Sequence, residues 1–255
     1  MARFLTLTFA APLASFGAIA VGERRPSWDR PGKSAALGLV AGALGLDRSD
    51  EDAHRALAEE YLFAARSEDL PVRAPFRLTI DYHTAQSPPR MRNRRFATRR
   101  EELAVEDLGT ILTRREYRAD SYFTLALWPR GEIARWTLDE FQNALRRPVY
   151  VPYAGRKACP LMLPMDPRIV EAEDVFEAFA RRDALIAADP RISAFLRRRG
   201  LESRARTVAL DAEARASAAP ARIEKRRDAL LNRGRWQFGL REEAVIALQP
   251  MGGGL

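Results

Sequence analysis

Alternation between hydrophobic and polar positions predicts a β-strand at the start of the chain. Leu5, Leu7 and Phe9 are separated by threonines within residues 3–9, which is the two-residue period of a half-buried strand. The wider apolar run, residues 4–21, raises a signal peptide or a membrane span as alternatives. Because Pro12 and later polar residues interrupt that run, the first strand is the preferred interpretation.

A helical period follows after a basic loop. The residues that recur at the spacing of one helix face are Leu37, Val40, Ala41 and Leu44. Gly45 comes directly after them and is a natural C-cap. The chain therefore begins with a strand, a loop and an apolar helix.

Similar patterns predict the elements up to residue 165. Further helices are expected from Ser49 to Leu57 and from Thr137, where Glu140 completes a capping box. Further strands are expected at Tyr61–Ala65, Phe76–Tyr82, Ile111–Tyr117 and Ser121–Trp128. This order predicts an α+β fold, close to a ferredoxin-like fold with one long insertion.

The remainder of the chain has a different composition. Helices are expected over 174–182 and 190–199, with strands over 207–210 and 244–248. The basic segment 222–235 lies between those strands, and neither a helix nor a strand is predicted in it. A smaller helical and strand region is therefore predicted after residue 165.

The insertion, residues 84–110, is rich in arginine and poor in apolar periodicity. Arg92, Arg94 and Arg95 precede Phe96, and prolines stand at the base of the segment. A solvated, disordered loop is one interpretation. An extended basic finger that becomes ordered on a partner is the preferred one, because prolines and an aromatic residue suit an inserting hairpin.

The overall charge narrows the class of partner. The chain of 255 residues has a formal net charge of +8, mostly from arginine, and a pI near 10.2, which favours nucleic acid. A single cysteine, Cys159, permits no internal disulfide and suits the cytoplasm. With only two histidines in addition, no ordinary zinc site can form, and neither metal nor cofactor is expected.

Two basic turns are candidates for holding phosphate. Arg24, Arg25 and Lys33 precede or open the first helix, whose free N–H groups begin near Ser34. This is not a nucleotide-binding P-loop, because Ser27 stands where that motif needs glycine. The second turn, Gly155-Arg156-Lys157, lies in a proline-rich loop over 148–164, where glycine lets the backbone approach a ligand.

These segments resemble the family-five CRISPR-associated subunits of type I-E Cascade complexes, members of the repeat-associated RNA-binding superfamily. The matching motifs occur in the family's order: Pro12-Leu13 with Ser15-Phe16-Gly17, Arg25-Pro26-Ser27, Pro31-Gly32-Lys33-Ser34 with Leu37-Gly38-Leu39, Asp81-Tyr82-His83-Thr84, Thr113-Arg114-Arg115-Glu116-Tyr117 with Asp120, and Tyr153-Ala154-Gly155-Arg156-Lys157-Ala158-Cys159-Pro160-Leu161. The resemblance covers about residues 3 to 165 and is weaker afterwards.

The resemblance implies a modified ferredoxin-like, RRM-like palm over 1–83 and 111–165. It also implies a β-hairpin thumb over 84–110 and a small C-terminal region over 166–255. Such a protein would be a non-catalytic subunit that caps the 5′ handle of the crRNA. The large and backbone subunits of Cascade would be its protein partners, with target DNA near the PAM-proximal end as a further candidate and no membrane.

Site residues follow from the same resemblance. The residues expected to hold RNA are Arg24, Arg25, Lys33, Ser34, His83, Arg114, Arg115, Tyr117, Tyr153, Gly155, Arg156 and Lys157. The basic side chains would bind phosphates, and Tyr117 or Tyr153 would stack an unpaired base. For Arg114 and Arg115, ion pairing with nearby carboxylates is an interpretation of equal weight to RNA contact. For Tyr82, the other interpretation is packing within the sheet.

Two other functions remain open. Some relatives in other subtypes are metal-independent endoribonucleases, and His83 with Tyr82 and a lysine could supply the base and acid for that reaction. The third class is a basic regulator or ribosome-associated protein, which would show no preference for a repeat-derived 5′ end. The binding subunit is the preferred function.

Overall fold

A computed structural model describes residues 1–68, 78–89, 95–199, 206–214 and 222–248. Within these ranges the strands are β1 (Ala2–Ala14), β2 (Phe16–Gly17), β3 (Arg24–Arg25), β4 (Ser27–Trp28), β5 (Tyr61–Glu68), β6 (Leu78–Ser87), β7 (Gly109–Pro129), β8 (Arg168–Ala172), β9 (Arg206–Asp211), β10 (Arg222–Asn232) and β11 (Gln237–Leu248). The helices are α1 (Lys33–Leu44), α2 (Glu51–Glu60), α3 (Arg99–Leu103), α4 (Leu138–Arg146), α5 (Val175–Ala187) and α6 (Pro190–Arg199), with a 3₁₀ turn at Ala212–Ala214. None of these helices is long and apolar enough to cross a membrane.

One twisted sheet organises the molecule. Its strand order is β10-β11-β9-β5-β7-β1-β8, and every neighbouring pair along this path is antiparallel. The short strand β3 and the longer β6 pair with the part of β7 that extends beyond this path. This mixed helix-and-sheet arrangement confirms the predicted α+β, modified ferredoxin-like class.

The alternation in β1 produces two hydrophobic layers. Leu5, Leu7 and Phe9 point into a core beneath α1, α2 and α4. Phe4 points to the other face, where Phe179 of α5 covers it. The predicted first strand is confirmed and continues five residues beyond Phe9, because its second half pairs with β7 as far as Arg118.

β7 is one strand of 21 residues, and the predicted division into Ile111–Tyr117 and Ser121–Trp128 is wrong in that respect. Asp120 has a positive φ of 48°, and it is skipped in the pairing with β1, whose register is the same on both sides of it. This position is the break that the sequence pattern detected. Before this point β7 pairs with β6, and after it β7 lies between β1 and β5.

The β6–β7 hairpin, with its connection 88–108, is called the arm below. Its paired strands run from Leu78 to Ser87 and from Gly109 to Arg118, so regular pairing starts outside the predicted thumb, 84–110. Arg92 and Arg94 lie outside the described residues. Arg95 and Phe96 lie in the connection, before α3. The division of the chain into palm, thumb and C-terminal region stays a prediction.

Helix α1 has the predicted boundaries and cap. Gly45 adopts φ 77°, and its N–H and that of Leu46 close the helix on carbonyls of the last turn. Leu37, Val40 and Ala41 are buried, as the helical period requires. At the other end, Gly32 packs so closely that an added Cβ would lie 2.3 Å from Asp228 Oδ2.

The C-terminal strands β9, β10 and β11 belong to the same sheet as β1, β5 and β7. The predicted helices and the strand at 207–210 are present, and the last strand begins earlier than expected, at Gln237. The basic segment 222–235 contains β10, which sequence reasoning missed, and β8 was missed as well. β10 was not predicted because Arg226 and Asp228 occupy buried positions of the strand. Charged residues at buried positions remove the hydrophobic alternation by which a strand is recognised.

Candidate nucleic-acid interface

Neighbouring strands bring four arginines together at the base of the arm. β3 pairs in parallel with β7 and sets Arg24 opposite Arg114. The next register pair is Arg25 with Arg115. A backbone hydrogen bond from Arg114 N to Glu23 O, 2.9 Å long, extends the pairing. Paired residues share a face of a sheet, so each face carries two guanidinium groups side by side.

One of these faces also carries an exposed aromatic ring. Tyr82 of β6 pairs with Arg114, whose guanidinium carbon lies 5.8 Å from the ring centroid. Tyr82 is 56% exposed, so sheet packing does not account for it. An arginine beside an exposed ring can hold a phosphate while the ring stacks a base. Tyr82 is absent from the predicted set of RNA-binding residues, because its position in the alternating pattern also suits packing within the sheet.

The second basic turn docks onto the same place. Arg156 Nη2 donates to Arg25 O at 3.3 Å, and its guanidinium lies 4.8 Å from the ring centroid of Tyr117. The second basic turn therefore meets the first basic loop at Arg25. The set Arg24, Arg25, Tyr82, Arg114, Arg115, Tyr117 and Arg156 is called the arm cluster below.

Gly155 makes this docking possible. It has φ 82°, and an added Cβ would lie 2.0 Å from Ser15 O, so no other residue fits without moving the backbone. Ser15 N donates to Ala154 O at 3.1 Å and holds the turn against the end of β1. A glycine at the position adjoining the arginine thus fixes where Arg156 stands.

Glu116 supports the cluster by binding neighbouring backbone and side-chain groups. Glu116 uses Oε2 to accept from Ser27 N at 3.1 Å, while its carbonyl accepts from Ser15 Oγ at 2.9 Å. The alternative that pairs Arg114 and Arg115 with nearby carboxylates stays a prediction. Arg24, Arg25 and Arg114 are exposed, and Arg25 uses Nη1 to donate to Gly22 O and Arg24 O. The exposed guanidinium groups of Arg24 and Arg114 can donate to an anionic strand.

Other predicted residues flank the cluster. His83 is exposed on β6 and pairs with Thr113. Lys157 is exposed beside Arg156, and Tyr153 is 40% exposed and bridged to Pro160. These side chains extend a basic and aromatic surface away from the base of the arm.

Lys33 is a different case, and the structure contradicts its predicted role as an exposed phosphate contact. Its Nζ lies 3.0 Å from Asp211 Oδ2, and only 8% of its side chain is exposed. Burial lowers the pKa of Lys33, although Asp211 opposes that shift. Ser34 is half-buried and lines a cleft between α1, α2 and the β10–β11 hairpin. The start of α1 therefore belongs to a different surface from the arm cluster.

Buried arginines form a network next to Lys33. Arg30 binds Glu243 at 2.6 Å and Glu224 at 2.6 Å, and Arg241 binds Glu243 and Asp211 at 2.8 Å each. Glu243 is completely buried. These cations stabilise the junction of α1 with the C-terminal strands, so they are unavailable to a ligand.

Comparison with known proteins gives the family. The model of the family described as CRISPR-associated protein (Cas_Cas5) matches residues 4–242. A curated relative, the CRISPR system Cascade subunit CasD of Escherichia coli (strain K12), is 32% identical over 178 residues, which are 68% of this chain and 74% of the relative.

Solved structures agree on the fold. A chain of a CRISPR RNA-guided surveillance complex superposes with a TM-score of 0.60 at 20% identity, over 97% of this chain and 91% of the other. A crystal structure of a Cas protein superposes with a TM-score of 0.52 at 19% identity, over 98% of this chain and 100% of the other. Because the family model spans nearly the whole chain and agrees with the E. coli relative, the chain belongs to the Cas5 family of CRISPR-associated proteins.

Proposed function

We propose that this protein is the RNA-binding subunit of a type I-E Cascade complex, where it caps the 5′ handle of the crRNA. Its similarity to the E. coli Cascade subunit supports membership of such a complex. The observation that carries the RNA-binding role is the contact of Arg156 with the backbone of Arg25, which unites two basic turns 131 residues apart.

The arm cluster can hold an unpaired strand by its backbone. Exposed guanidinium groups of Arg24 and Arg114 would bind phosphates, and Tyr82 would stack a base. Contact by shape, charge and stacking suits single-stranded RNA, whose bases are splayed from a hooked backbone. Tyr153 and Lys157 extend the surface in the direction of the next nucleotides.

The partner subunits would bind next to this surface. The arm carries exposed apolar side chains at Ile80 and Ile111, which are 56% and 52% exposed. Exposed apolar side chains on a projecting hairpin favour protein contact, and the backbone subunit of the complex is the proposed partner there. The large subunit would bind beside the handle, and target DNA near the PAM-proximal end would pass close by, in the cytoplasm.

The binding proposal is tested by the affinity for an RNA that carries the repeat-derived 5′ end. The double variant Arg24→Gln/Arg114→Gln removes two exposed cations without touching the core. We expect weaker binding and a plot of log affinity against log salt that is shallower by about 1.4, since each phosphate contact with a single strand contributes about 0.7.

A matched control uses two exposed arginines on the helical side of the molecule. Arg181 and Arg191 lie on α5 and α6, and Arg181→Gln/Arg191→Gln removes the same charge. Equal loss of affinity in both double variants would show that only net charge matters. Equal affinity of the wild type for RNAs with and without the repeat-derived 5′ end would contradict the proposal and favour a general basic regulator.

We also propose that the chain does not cleave RNA. His83 lies on the arm, whereas His54 lies on α2 with its Nε2 3.0 Å from Asp47 O, so the second histidine belongs to another surface. Incubation with repeat RNA in EDTA should leave the RNA intact. A product that ends at the handle boundary and disappears in His83→Ala would establish an endoribonuclease instead.

A further inference from the structure

A cleft of about 270 Å³ separates α1, α2 and the β10–β11 hairpin. Its apolar walls include Leu37, Leu57, Leu230 and Phe238, and polar groups of Ser34, His54 and Arg233 also face it. The volume lies near the lower end of small-molecule sites, about 300 Å³, and it suits one flat ring system. Phe238 supplies an aromatic wall of the kind on which unpaired bases stack.

An exposed tryptophan stands next to this cleft. Trp236 ends the β10–β11 turn with a positive φ of 59° and is 55% exposed. A bulky residue in this backbone region is unfavourable and persists only where the surroundings fix it. The guanidinium of Arg233 lies 4.0 Å from the indole centroid and that of Arg48 lies 4.7 Å from it.

Helix α2 and its preceding loop hold the turn in place. Glu51 accepts hydrogen bonds from Arg233 N at 2.9 Å and from Gly234 N at 3.1 Å. Arg48 Nη2 donates to Gly234 O at 3.3 Å. These contacts position the two guanidinium groups before any ligand arrives, which reduces the entropy lost on binding.

The two rim arginines are the cations of this surface that remain available. Within the cleft, Lys33 is bound to Asp211, Arg130 to Glu213 and Arg241 to Asp228. Among the residues that the structure describes, no carboxylate lies at ion-pair distance from the Arg48 or Arg233 guanidinium, although the charge of Glu51 acts on that of Arg233. The cleft is therefore mainly apolar, its charged lining residues include Glu59, Glu213 and Asp228, and its rim is cationic.

We propose that this cleft receives one unpaired base of the bound RNA strand, while Arg48 and Arg233 hold the adjoining phosphate. The ligand class is a nucleotide within a single strand, because an apolar slot and a cationic rim match the two parts of that unit.

The loop that carries Arg156 also contacts the end of α1. Val149 N donates to Ala43 O and Tyr150 N donates to Gly42 O, both at 3.1 Å. A strand that leaves Arg156 along this loop would reach α1 and the cleft beside it. The inference rests on the proposed RNA-binding function and adds a nucleotide site beyond the arm cluster.

Gly38 offers a direct test because it lines the cleft and an added Cβ would meet nothing within 4 Å. Gly38→Leu should fill the cleft without removing a charge. Gly42→Leu is the matched control, one turn later on the same helix, also with open space at Cβ but outside the cleft lining. Both variants should remain folded, since leucine has the higher helix propensity.

The readout is the affinity for RNA carrying the repeat-derived 5′ end, together with a series in which single nucleotides are abasic. We expect Gly38→Leu to bind about tenfold more weakly at unchanged salt dependence, and Gly42→Leu to bind like the wild type. One abasic position should weaken the wild type by a similar factor and leave Gly38→Leu unaffected. Equal affinity of the two leucine variants would overturn the inference.

A second variant, outside α1, tests the cationic rim separately from the apolar cleft. Arg48→Gln should lower affinity and make the salt dependence shallower by about 0.7, whereas Arg55→Gln on the exposed side of α2 should change neither. Unchanged RNA binding combined with failed assembly of the Cascade subunits would identify a protein interface and contradict the inference.

The two proposals can fail separately. Loss of affinity in Arg24→Gln/Arg114→Gln, with none in Gly38→Leu or Arg48→Gln, would remove only the cleft site. If none of these variants changes the affinity for RNA, the cleft site and the proposed RNA-binding function are both contradicted.

Discussion

Arginine side chains serve two purposes in this chain, and the surroundings of each guanidinium decide which. Arg24 and Arg114 are exposed on paired strands, whereas Arg30 and Arg182 are buried. Arg182 donates to Thr8 Oγ1 at 2.9 Å and to Asp166 O at 3.0 Å, and burial lowers its pKa to about 10. The neighbouring residues do not distinguish the exposed arginine from the buried one, because Arg24 and Arg182 each stand between an arginine and an acidic residue.

The buried ion pair of Lys33 with Asp211 predicts a role in stability and none in RNA binding. Lys33→Met should lower the free energy of unfolding by about 2 kcal/mol, because Asp211 loses one of its buried partners while Arg241 remains. Chemical denaturation measures this change. The affinity for RNA should stay close to that of the wild type. The contrary result would be unchanged stability with an RNA affinity as low as that of Arg24→Gln/Arg114→Gln. That result would show that Lys33 contacts RNA.

Gly155 gives a second prediction. Gly155→Ala should destabilise the fold by about 3 kcal/mol, since the methyl group meets Ser15 O and the backbone holds φ 82°. RNA affinity should fall as well because Arg156 is displaced. Gly17→Ala is the control, as an added Cβ there meets nothing within 4 Å. Thermal unfolding of the two variants measures the difference in their stability. Similar melting temperatures would contradict the close packing of Gly155 against Ser15 O.

At the scale of elements, β10 and β11 are joined to α1 by charges rather than by a hydrophobic face. Burial alone would raise the pKa of Glu243, but the guanidinium groups around it lower it. Those groups belong to Arg226, Arg30 and Arg241. A carboxylate with a depressed pKa stabilises the folded state above its unfolded pKa, and this stabilisation is lost as the pH falls through the folded value.

The network therefore predicts sensitivity to acid. The free energy of unfolding should decrease as the pH falls below about 4.5, the usual glutamate pKa. Glu243→Gln should be less stable at pH 7 by about 3 kcal/mol and should lose less stability on acidification. Glu242→Gln, one residue earlier and exposed, is the control. Parallel pH profiles for Glu243→Gln and the wild type would contradict this account.

Elements with a clear hydrophobic period could be predicted, and those that rely on ion pairs could not. Helix α4 shows the first case, with Thr137 and Glu140 forming both bonds of a capping box. β10 shows the second, because its buried positions hold Arg226 and Asp228. The continuity of β7 through Asp120 depends on strands far away in the sequence, so the local pattern indicated two strands.

At the scale of the molecule, the sheet places distant segments side by side. β7 is central, and residues near 25, 82, 115 and 156 meet around its first half. The motifs of the resemblance identified most of these residues but could not show that Lys33 turns inward. The cleft was not predicted, since its residues lie in α1, α2 and the C-terminal hairpin and no single motif contains them.

Cryo-electron microscopy of the assembled Cascade particle with its crRNA would show where the 5′ handle lies on this subunit. We expect RNA phosphates of the 5′ handle within hydrogen-bonding distance, about 3 Å, of the guanidinium groups of Arg24 and Arg114, while Arg156 still donates to Arg25 O. A handle bound on the α5–α6 side of the sheet, with no nucleotide near the arm cluster, would contradict this expectation.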